Sequence, residues 1–287
     1  MAIPHPMTQS LLPPGQCLSV PGCWDGFTAL LIEQAGFPAA FLTGGGLSMA
    51  RFGRPDMGLV SMAQVAETIA VITDRISIPL FVDADTGFGN ALNVQATVRA
   101  FERAGAAAIQ LEDQTFPKRC GHMAGKGVIG LPEALGKLKA ALDARDNALI
   151  IARTDALVVE GFQSALDRAD AFLEAGADLI FIEGPPELAQ MEAIGARYGD
   201  RVPLVHNLVE GAVTPVHDAA TLAALGYRVA LHPLLLLHGL GRLGPQLLAR
   251  LKAEGGTQGV AGDILDLKAA SGLTGAPELV ALAARYA

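Results

Sequence analysis

A thiol, two cations and two carboxylates fall within one short stretch of this 287-residue chain: Glu112-Asp113-Gln114-Thr115-Phe116-Pro117-Lys118-Arg119-Cys120-Gly121-His122. A mostly apolar run, Ala107 to Leu111, leads into it. Charges on a connecting loop are ordinary, but a cysteine set among cations acquires a stabilised, reactive thiolate. Residue chemistry alone therefore marks this stretch as part of an active site.

Further acids stand where they can join it. Asp83 and Asp85 in Asp83-Ala84-Asp85-Thr86-Gly87 follow an apolar run, and Asp56 follows Pro55 in a loop. With Glu112 they make a four-carboxylate set. Carboxylates gathered within about 4–6 Å repel one another unless a cation intervenes. An all-oxygen set points to Mg²⁺, with Mn²⁺ as the alternative, rather than Zn²⁺. Arg153, leaving the apolar run Leu149–Ala152, has the planar fork that clamps a carboxylate in two places. Thr43-Gly44-Gly45 lets backbone amides come close to an anion, because glycine presents no side chain. Glu183 and Asn207 end two further apolar runs and are candidate substrate contacts. Together these describe a site for a metal-bound 2-oxo acid. If a 2-hydroxy acid is cleaved between C2 and C3, the departing carbanion needs a proton, and Cys120 is the candidate donor, with Lys118, Arg119 and His122 stabilising its thiolate. Gly121 and His122 are expected to hold the departing fragment's carboxylate.

Lys118-Arg119-Cys120-Gly121-His122 after Glu112-Asp113-Gln114 resembles the signature loop of the isocitrate lyase and phosphoenolpyruvate mutase superfamily, in particular its 2-methylisocitrate lyase and 2,3-dimethylmalate lyase branches. Val20-Pro21-Gly22, Thr43-Gly44-Gly45, Pro55-Asp56, Asp83 to Asn90, Ala152 to Ala156, and Asn207 with Glu210-Gly211 and Thr214-Pro215 follow in the order of that family. The resemblance implies that Asp83 is the direct metal ligand, with Asp56, Asp85 and Glu112 holding coordinated waters. It also implies a homotetramer whose subunits exchange a late helix. It weakens after the seventh strand: His232-Pro233-Leu234-Leu235 stands where related methylisocitrate lyases have Tyr-Pro-Leu-Ser, and His238 replaces an arginine that helps hold a third carboxylate. The expected substrate is thus a diacid such as a 2-alkylmalate. The expected reaction is retro-aldol cleavage of a 2-hydroxy diacid, 2-alkylmalate or 2-methylisocitrate-like, to a 2-oxo acid such as pyruvate and a carboxylic acid. The alternatives are oxaloacetate hydrolysis or decarboxylation, or phosphonopyruvate-type mutase or hydrolase chemistry, on the same metal-enolate site. A non-catalytic metabolite-binding barrel belongs to a different class.

The elements that must position these residues are legible from punctuation. Ala35-Gly36, Ala104-Gly105, Ala175-Gly176 and Leu225-Gly226 each close a helical pattern before a short apolar run, as expected of a glycine that ends a helix in the left-handed conformation. Strands are expected near Cys17–Pro21, Ala39–Thr43, Pro79–Asp83, Ala107–Glu112, Leu149–Arg153, Leu179–Glu183, Pro203–Asn207 and Arg228–Leu231. Helical periodicity is clear in Leu92–Arg103, Ala134–Ala144 and Gln163–Ala175. Continuous apolar strands mean parallel pairing buried on both faces. Eight units favour an α/β fold of the (β/α)₈ TIM-barrel type, a single domain over residues 1–287, with residues 234–287 as a C-terminal helical extension, which the resemblance implies is helix-swapped. No dinucleotide fingerprint follows the first strand.

Composition narrows the partners. A formal charge of −8 excludes the clustered cations that nucleic-acid binding rests on. The longest apolar stretch, Val229 to Leu240, is broken by two histidines, a proline and a glycine and is too short to span a bilayer. Cys17, Cys23 and Cys120 form an odd set without metal spacing, which suits reduced thiols, Cys17 and Cys23 as small buried hydrophobes. His206, His217, His232 and His238 have no paired helical spacing and read as packing or surface residues. The expectation is a cytoplasmic enzyme acting on a small 2-hydroxy or 2-oxo diacid, without nucleic-acid or membrane partners.

Overall fold

The computed structural model describes residues 10–287 except His122 and Ala124. Eight parallel strands close into a barrel in chain order: β1 (Leu18–Cys23), β2 (Ala40–Leu42), β3 (Leu80–Asp83), β4 (Ala108–Glu112), β5 (Leu149–Thr154), β6 (Leu179–Ile182), β7 (Leu204–Asn207) and β8 (Tyr227–His232). Closure is made by β1 against β8, from Leu18 opposite Val229 to Pro21 opposite His232. Helices alternate with them: α1 (Gly26–Gln34), α2 (Gly44–Phe52), α3 (Met62–Thr73), α4 (Ala91–Arg103), α5 (Leu131–Ala144), α6 (Ala156–Glu160), α7 (Phe162–Ala175), α8 (Leu188–Tyr198) and α9 (Ala219–Ala224). Each of the eight expected strands is present within a few residues of its expected limits.

The junction glycines behave as their positions require. Gly36, Gly105, Gly176 and Gly226 have φ of 82°, 105°, 101° and 88°, the left-handed region that closes a helix and turns the chain toward the next strand. At Gly105 space is short as well, since a Cβ there would stand 2.9 Å from the Thr73 side chain. Helix starts are fixed by side chains. Asp25, Ser61 and Asn90 each form a capping box at the head of α1, α3 and α4, a device whose removal costs about 1 kcal/mol per helix.

β2 departs from expectation because it ends at Leu42. Thr43 leaves the strand to cap α2, its hydroxyl accepting from Gly46 N at 3.2 Å. Gly44 and Gly45 are therefore the first turn of a helix rather than a loop.

The barrel interior is filled by Val20, Phe41, Phe81, Ala108, Ile151, Phe181, Val205 and their neighbours, all nearly or fully buried. The chain divides into two compact units, Met1–Leu235 and Leu236–Ala287. The second contains most of α10 (Leu235–Glu254), followed by α11 (Leu267–Leu273) and α12 (Ala276–Ala283). Within it Arg250 pairs with Asp263 at 3.0 Å. Among the described residues no helix is long and apolar enough to cross a membrane.

Candidate active site

Strand geometry delivers the site. Successive side chains point to opposite faces of a strand, so a residue two places beyond a core residue also points into the barrel, one layer higher. Asp83 follows Phe81 in this way, Gln110 and Glu112 follow Ala108, Arg153 follows Ile151, Glu183 follows Phe181 and Asn207 follows Val205. All but Gln110, at the middle of β4, are at the carboxyl ends of their strands, the face from which barrel enzymes build their sites. Asp83, Gln110, Arg153, Glu183 and Asn207 line one cavity of about 60 Å³, with Thr43, Gly45, Asp56, Cys120 and Gly121 contributing to its rim and Phe41, Met49, Val209, Pro233 and Leu234 to its apolar side.

Asp56 and Asp85 meet at Lys118, Asp83 and Asp85 meet beside Gly44, and Glu112 faces Arg153. β3 ends at Asp83, and Asp85 reaches the site through a turn in which its own φ is 47°, a conformation tolerated by Asp but uncommon. Its N–H donates to Asp83 Oδ1 at 3.0 Å, and the Gln110 amide approaches the same oxygen at 3.5 Å. Both contacts fall on Oδ1. A Cβ on Gly44 would stand 3.0 Å from Asp83 Oδ2 and 3.1 Å from Asp85 Oδ1, so glycine lets the start of α2 approach the acids. The positive end of that helix favours anions there.

Lys118 is placed otherwise than expected. Its ammonium is 2.6 Å from Asp56 and 2.7 Å from Asp85. It is thus committed to the acids, as a buried cation among carboxylates must be. Burial pushes the Asp85 carboxyl up to about 7, Lys118 opposing the shift and Asp83 and Asp56 adding to it. Burial likewise raises Glu112 well above the ordinary carboxylate range against the pull of Arg153. Such acids call for additional positive charge. Among the described residues no group of three or more His, Cys, Asp or Glu side chains stands in metal-holding geometry. The donor set nevertheless fits Mg²⁺, which needs only one or two carboxylates and retains several waters. Glu112 Oε1, buried without a hydrogen-bond partner among the described residues, is a natural acceptor for one of them.

Arg153 is buried at the centre. Nε and Nη2 donate to Asp155 at 2.9 and 3.1 Å, Glu112 and Glu183 lie 3.4 and 3.6 Å away, and the guanidinium stacks 5.2 Å above the Phe181 ring. Burial would lower its pKa, but the three acids more than compensate, so it is always charged. Asn207 donates to Glu183 at 3.1 Å. Gly121 packs directly on this cluster: a Cβ there would stand 2.5 Å from Arg153 Nη2 and 2.7 Å from Glu183 Oε1.

Cys120 is carried by a segment held by side chains. The Gln114 carboxamide accepts from Arg119 N at 3.0 Å and donates to Arg119 O at 2.9 Å, as a paired peptide would. Cys120 N donates to Asp56 O at 3.1 Å. Lys126 donates to Gly121 O and to Asp155. His122 lies outside the described residues. Of the other two cysteines, Cys23 is fully buried as expected, whereas Cys17 is half-buried, enough to raise its thiol to about 12.

Beneath the site, Asp113 accepts from Asp155 N at 2.9 Å, Thr154 Oγ1 at 2.7 Å and Arg168 Nη1 at 3.0 Å. It ties the ends of β4 and β5 to α7. Sequence reasoning missed Gln110, Gln114 and Lys126. The first carries a signal, being two residues before Glu112 on one strand and so on the same face; Lys126 and its partner Asp155 are 29 residues apart and carry none.

The chain is similar to known proteins in sequence and in fold. Residues 8–242 match the family described as phosphoenolpyruvate phosphomutase. The chain is 41% identical over 256 residues to 2,3-dimethylmalate lyase of Eubacterium barkeri, covering 88% of this chain and 87% of that protein. It is 39% identical over 244 residues to 2-methylisocitrate lyase of Vibrio cholerae, covering 83% and 79%. Among solved structures, a 2,3-dimethylmalate lyase superposes with a TM-score of 0.92 at 29% identity, covering 98% of this chain and 94% of the other. An oxaloacetate acetylhydrolase bound to 3,3-difluorooxalacetate gives 0.89 at 29% identity, covering 95% and 93%. A phosphonopyruvate hydrolase with oxalate and Mg²⁺ gives 0.84 at 33% identity, covering 95% of both chains. With its eight-stranded barrel and these relatives, the chain belongs to the phosphoenolpyruvate phosphomutase family of the isocitrate lyase and phosphoenolpyruvate mutase superfamily, and its homologues include carbon–carbon lyases.

Proposed function

We propose that this protein is a Mg²⁺-dependent carbon–carbon lyase that cleaves a 2-hydroxy diacid to a 2-oxo acid and a carboxylic acid. The observation that carries the reading is that one cavity is lined by Cys120, Arg153 and Asp83 together. The C2–C3 bond breaks, the 2-hydroxyl gives up its proton as the carbonyl forms, and C3 gains one.

Asp83 would be the direct metal ligand through Oδ2, with Asp56, Asp85 and Glu112 holding coordinated waters. The bound ion would supply Lewis-acid polarisation and neutralise charge developing on the 2-oxygen. Arg153 holds the carboxylate of the 2-oxo portion, assisted by the amides of Gly44 and Gly45 at the start of α2 and by the Thr43 turn. Cys120 delivers its proton to C3, and Gly121 and His122 receive the departing fragment's carboxylate. Glu183, anchored by Asn207, balances the charge of Arg153 and orients it.

The apolar side of the cavity, Met49, Val209, Pro233 and Leu234, supplies no cation for a third carboxylate. That favours a 2-alkylmalate over a tricarboxylate. His238, a specificity candidate from sequence, falls in the C-terminal unit. The second reading, hydrolysis of oxaloacetate or of a phosphonopyruvate-like acid, is supported by the superposition on hydrolases of both kinds. We carry the homotetramer as part of the proposal, to be tested by light scattering. The deciding experiment is 2-oxo acid release with Mg²⁺ from 2-alkylmalates, 2-methylisocitrate, isocitrate, oxaloacetate and phosphonopyruvate. Pyruvate from an alkylmalate supports the lyase; turnover confined to oxaloacetate or phosphonopyruvate would sink it.

A further inference from the structure

Lys126 is a lysine without access to water, its side chain 1% exposed. Its ammonium is 2.7 Å from Asp155 Oδ1 and donates to the carbonyl oxygen of Gly121. Asp155, fully buried, is also the bidentate acceptor for Arg153. Gly121, the neighbour of Cys120, lies so close to Arg153 that a Cβ would stand 2.5 Å from Nη2. The contacts close a ring: Gly121 to Lys126, Lys126 to Asp155, Asp155 to Arg153, and Arg153 back to Gly121. A lysine needed only to neutralise Asp155 would have no reason to reach the peptide beside the thiol.

We propose that Lys126 is a positioning residue that couples the thiol-bearing segment to the anion-binding guanidinium. With Lys126 in place, the charge of Asp155 is divided between two cations, and Arg153 keeps attraction for a substrate carboxylate. Without it, Asp155 belongs to Arg153 alone and a competing anion gains less, the interaction being strong in a site shielded from water. The same ammonium holds Gly121 O by a charge-assisted hydrogen bond and so fixes the peptide that follows Cys120. Anion binding at Arg153 and presentation of the thiol are thereby linked, each favouring the arrangement the other needs. The inference rests on the lyase reading for the roles of Cys120 and Arg153, but its test needs no turnover.

The test uses the full chain with Mg²⁺ and two readouts: oxalate affinity by calorimetry, and the rate of Cys120 alkylation by iodoacetamide across a pH series, with and without oxalate. Lys126→Met should weaken oxalate roughly tenfold, within the range for residues sharing one network. It should also accelerate Cys120 alkylation and remove the protection that oxalate gives. Lys126→Arg, which keeps the cation, should restore both. Lys126→Gln, which keeps a donor for Gly121 O without the charge, should weaken oxalate while leaving the alkylation profile near that of the parent. In the Met variant, either wild-type oxalate affinity or weakened oxalate with an unchanged thiol profile overturns the proposal. If neither the Met nor the Gln variant folds, Lys126 is a folding requirement and the coupling is rejected. A parent protein that binds no oxalate rejects the 2-oxo acid site itself, an outcome distinct from loss of coupling in the variants alone.

Discussion

Gly121→Ala should disable the enzyme while leaving it folded. The φ of Gly121 is not in the left-handed region, so alanine meets no backbone obstacle. What it meets is Arg153 Nη2 at 2.5 Å and Glu183 Oε1 at 2.7 Å. Favourable contacts between carbon and its neighbours lie near 3.5 Å, so the guanidinium or the Cys120 segment must retreat by about 1 Å. A misplacement of that size costs on the order of 10²-fold in rate, equivalent to about 2.7 kcal/mol of transition-state stabilisation. The assay is kcat/KM for 2-oxo acid release from whichever acid the substrate panel identifies, beside a thermal melt. Gly105→Ala is the matched control. There φ is 105° and the Thr73 side chain is 2.9 Å away, far from the chemistry. It should cost about 1–2 kcal/mol from the left-handed backbone alone, or roughly 2–8 °C in Tm for a unit of this size, with activity preserved at low temperature. A Gly121→Ala enzyme within threefold of the parent, or one that melts lower than Gly105→Ala, would refute the close-approach argument.

Cys120→Ala should lower turnover by about 10²–10⁴-fold, the usual worth of a general acid, yet bind Mg²⁺ and oxalate as the parent does; equal activity would remove the thiol from the mechanism. Asp83→Asn should weaken Mg²⁺ by roughly 10²-fold or more, since outer partners of a metal alone are worth 10–100-fold. Titration of the ion by calorimetry checks this, and parent-like affinity would place the metal elsewhere. Iodoacetamide at mildly alkaline pH should label Cys120 before Cys17 or Cys23. Cys23 is fully buried, and with the Cys17 thiol held at about 12, only about one in 10⁴ is ionised near pH 8. Peptide mass spectrometry reads the order, and early labelling of Cys17 would contradict the suppressed ionisation of its thiol.

Much of the fold and of the site is legible in the residues themselves, for identifiable reasons. Gly36, Gly105, Gly176 and Gly226 mark helix ends because few other residues enter the left-handed region, and strands buried on both faces must be written as apolar runs. The polar residues ending those runs are legible as a site because an unpaired charge is rarely left on a buried strand. What stays hidden is set by partners distant in sequence. Thr43 shortens β2 because a cap on α2 outweighs one more strand residue. Lys118 turns to Asp56 and Asp85 rather than remaining with its neighbour Cys120, because two carboxylates, one of them buried, outcompete a thiol for an ammonium. Lys126, between two glycines, reads as a solvated loop lysine until the fold brings Asp155 beneath it.

The alternation that places Phe81 below Asp83, Ile151 below Arg153 and Phe181 below Glu183 has an evolutionary consequence. One register governs both the packing that keeps the barrel closed and the direction in which its reactive groups point, so a single-residue insertion within a strand would lose both at once and be eliminated. The turns beyond the strand ends carry no such double obligation. Pro233 and Leu234, which line the cavity from beyond β8, can be exchanged without altering the register of a strand beneath them. A barrel built this way can change what its turns present while the strand-borne layer is inherited intact.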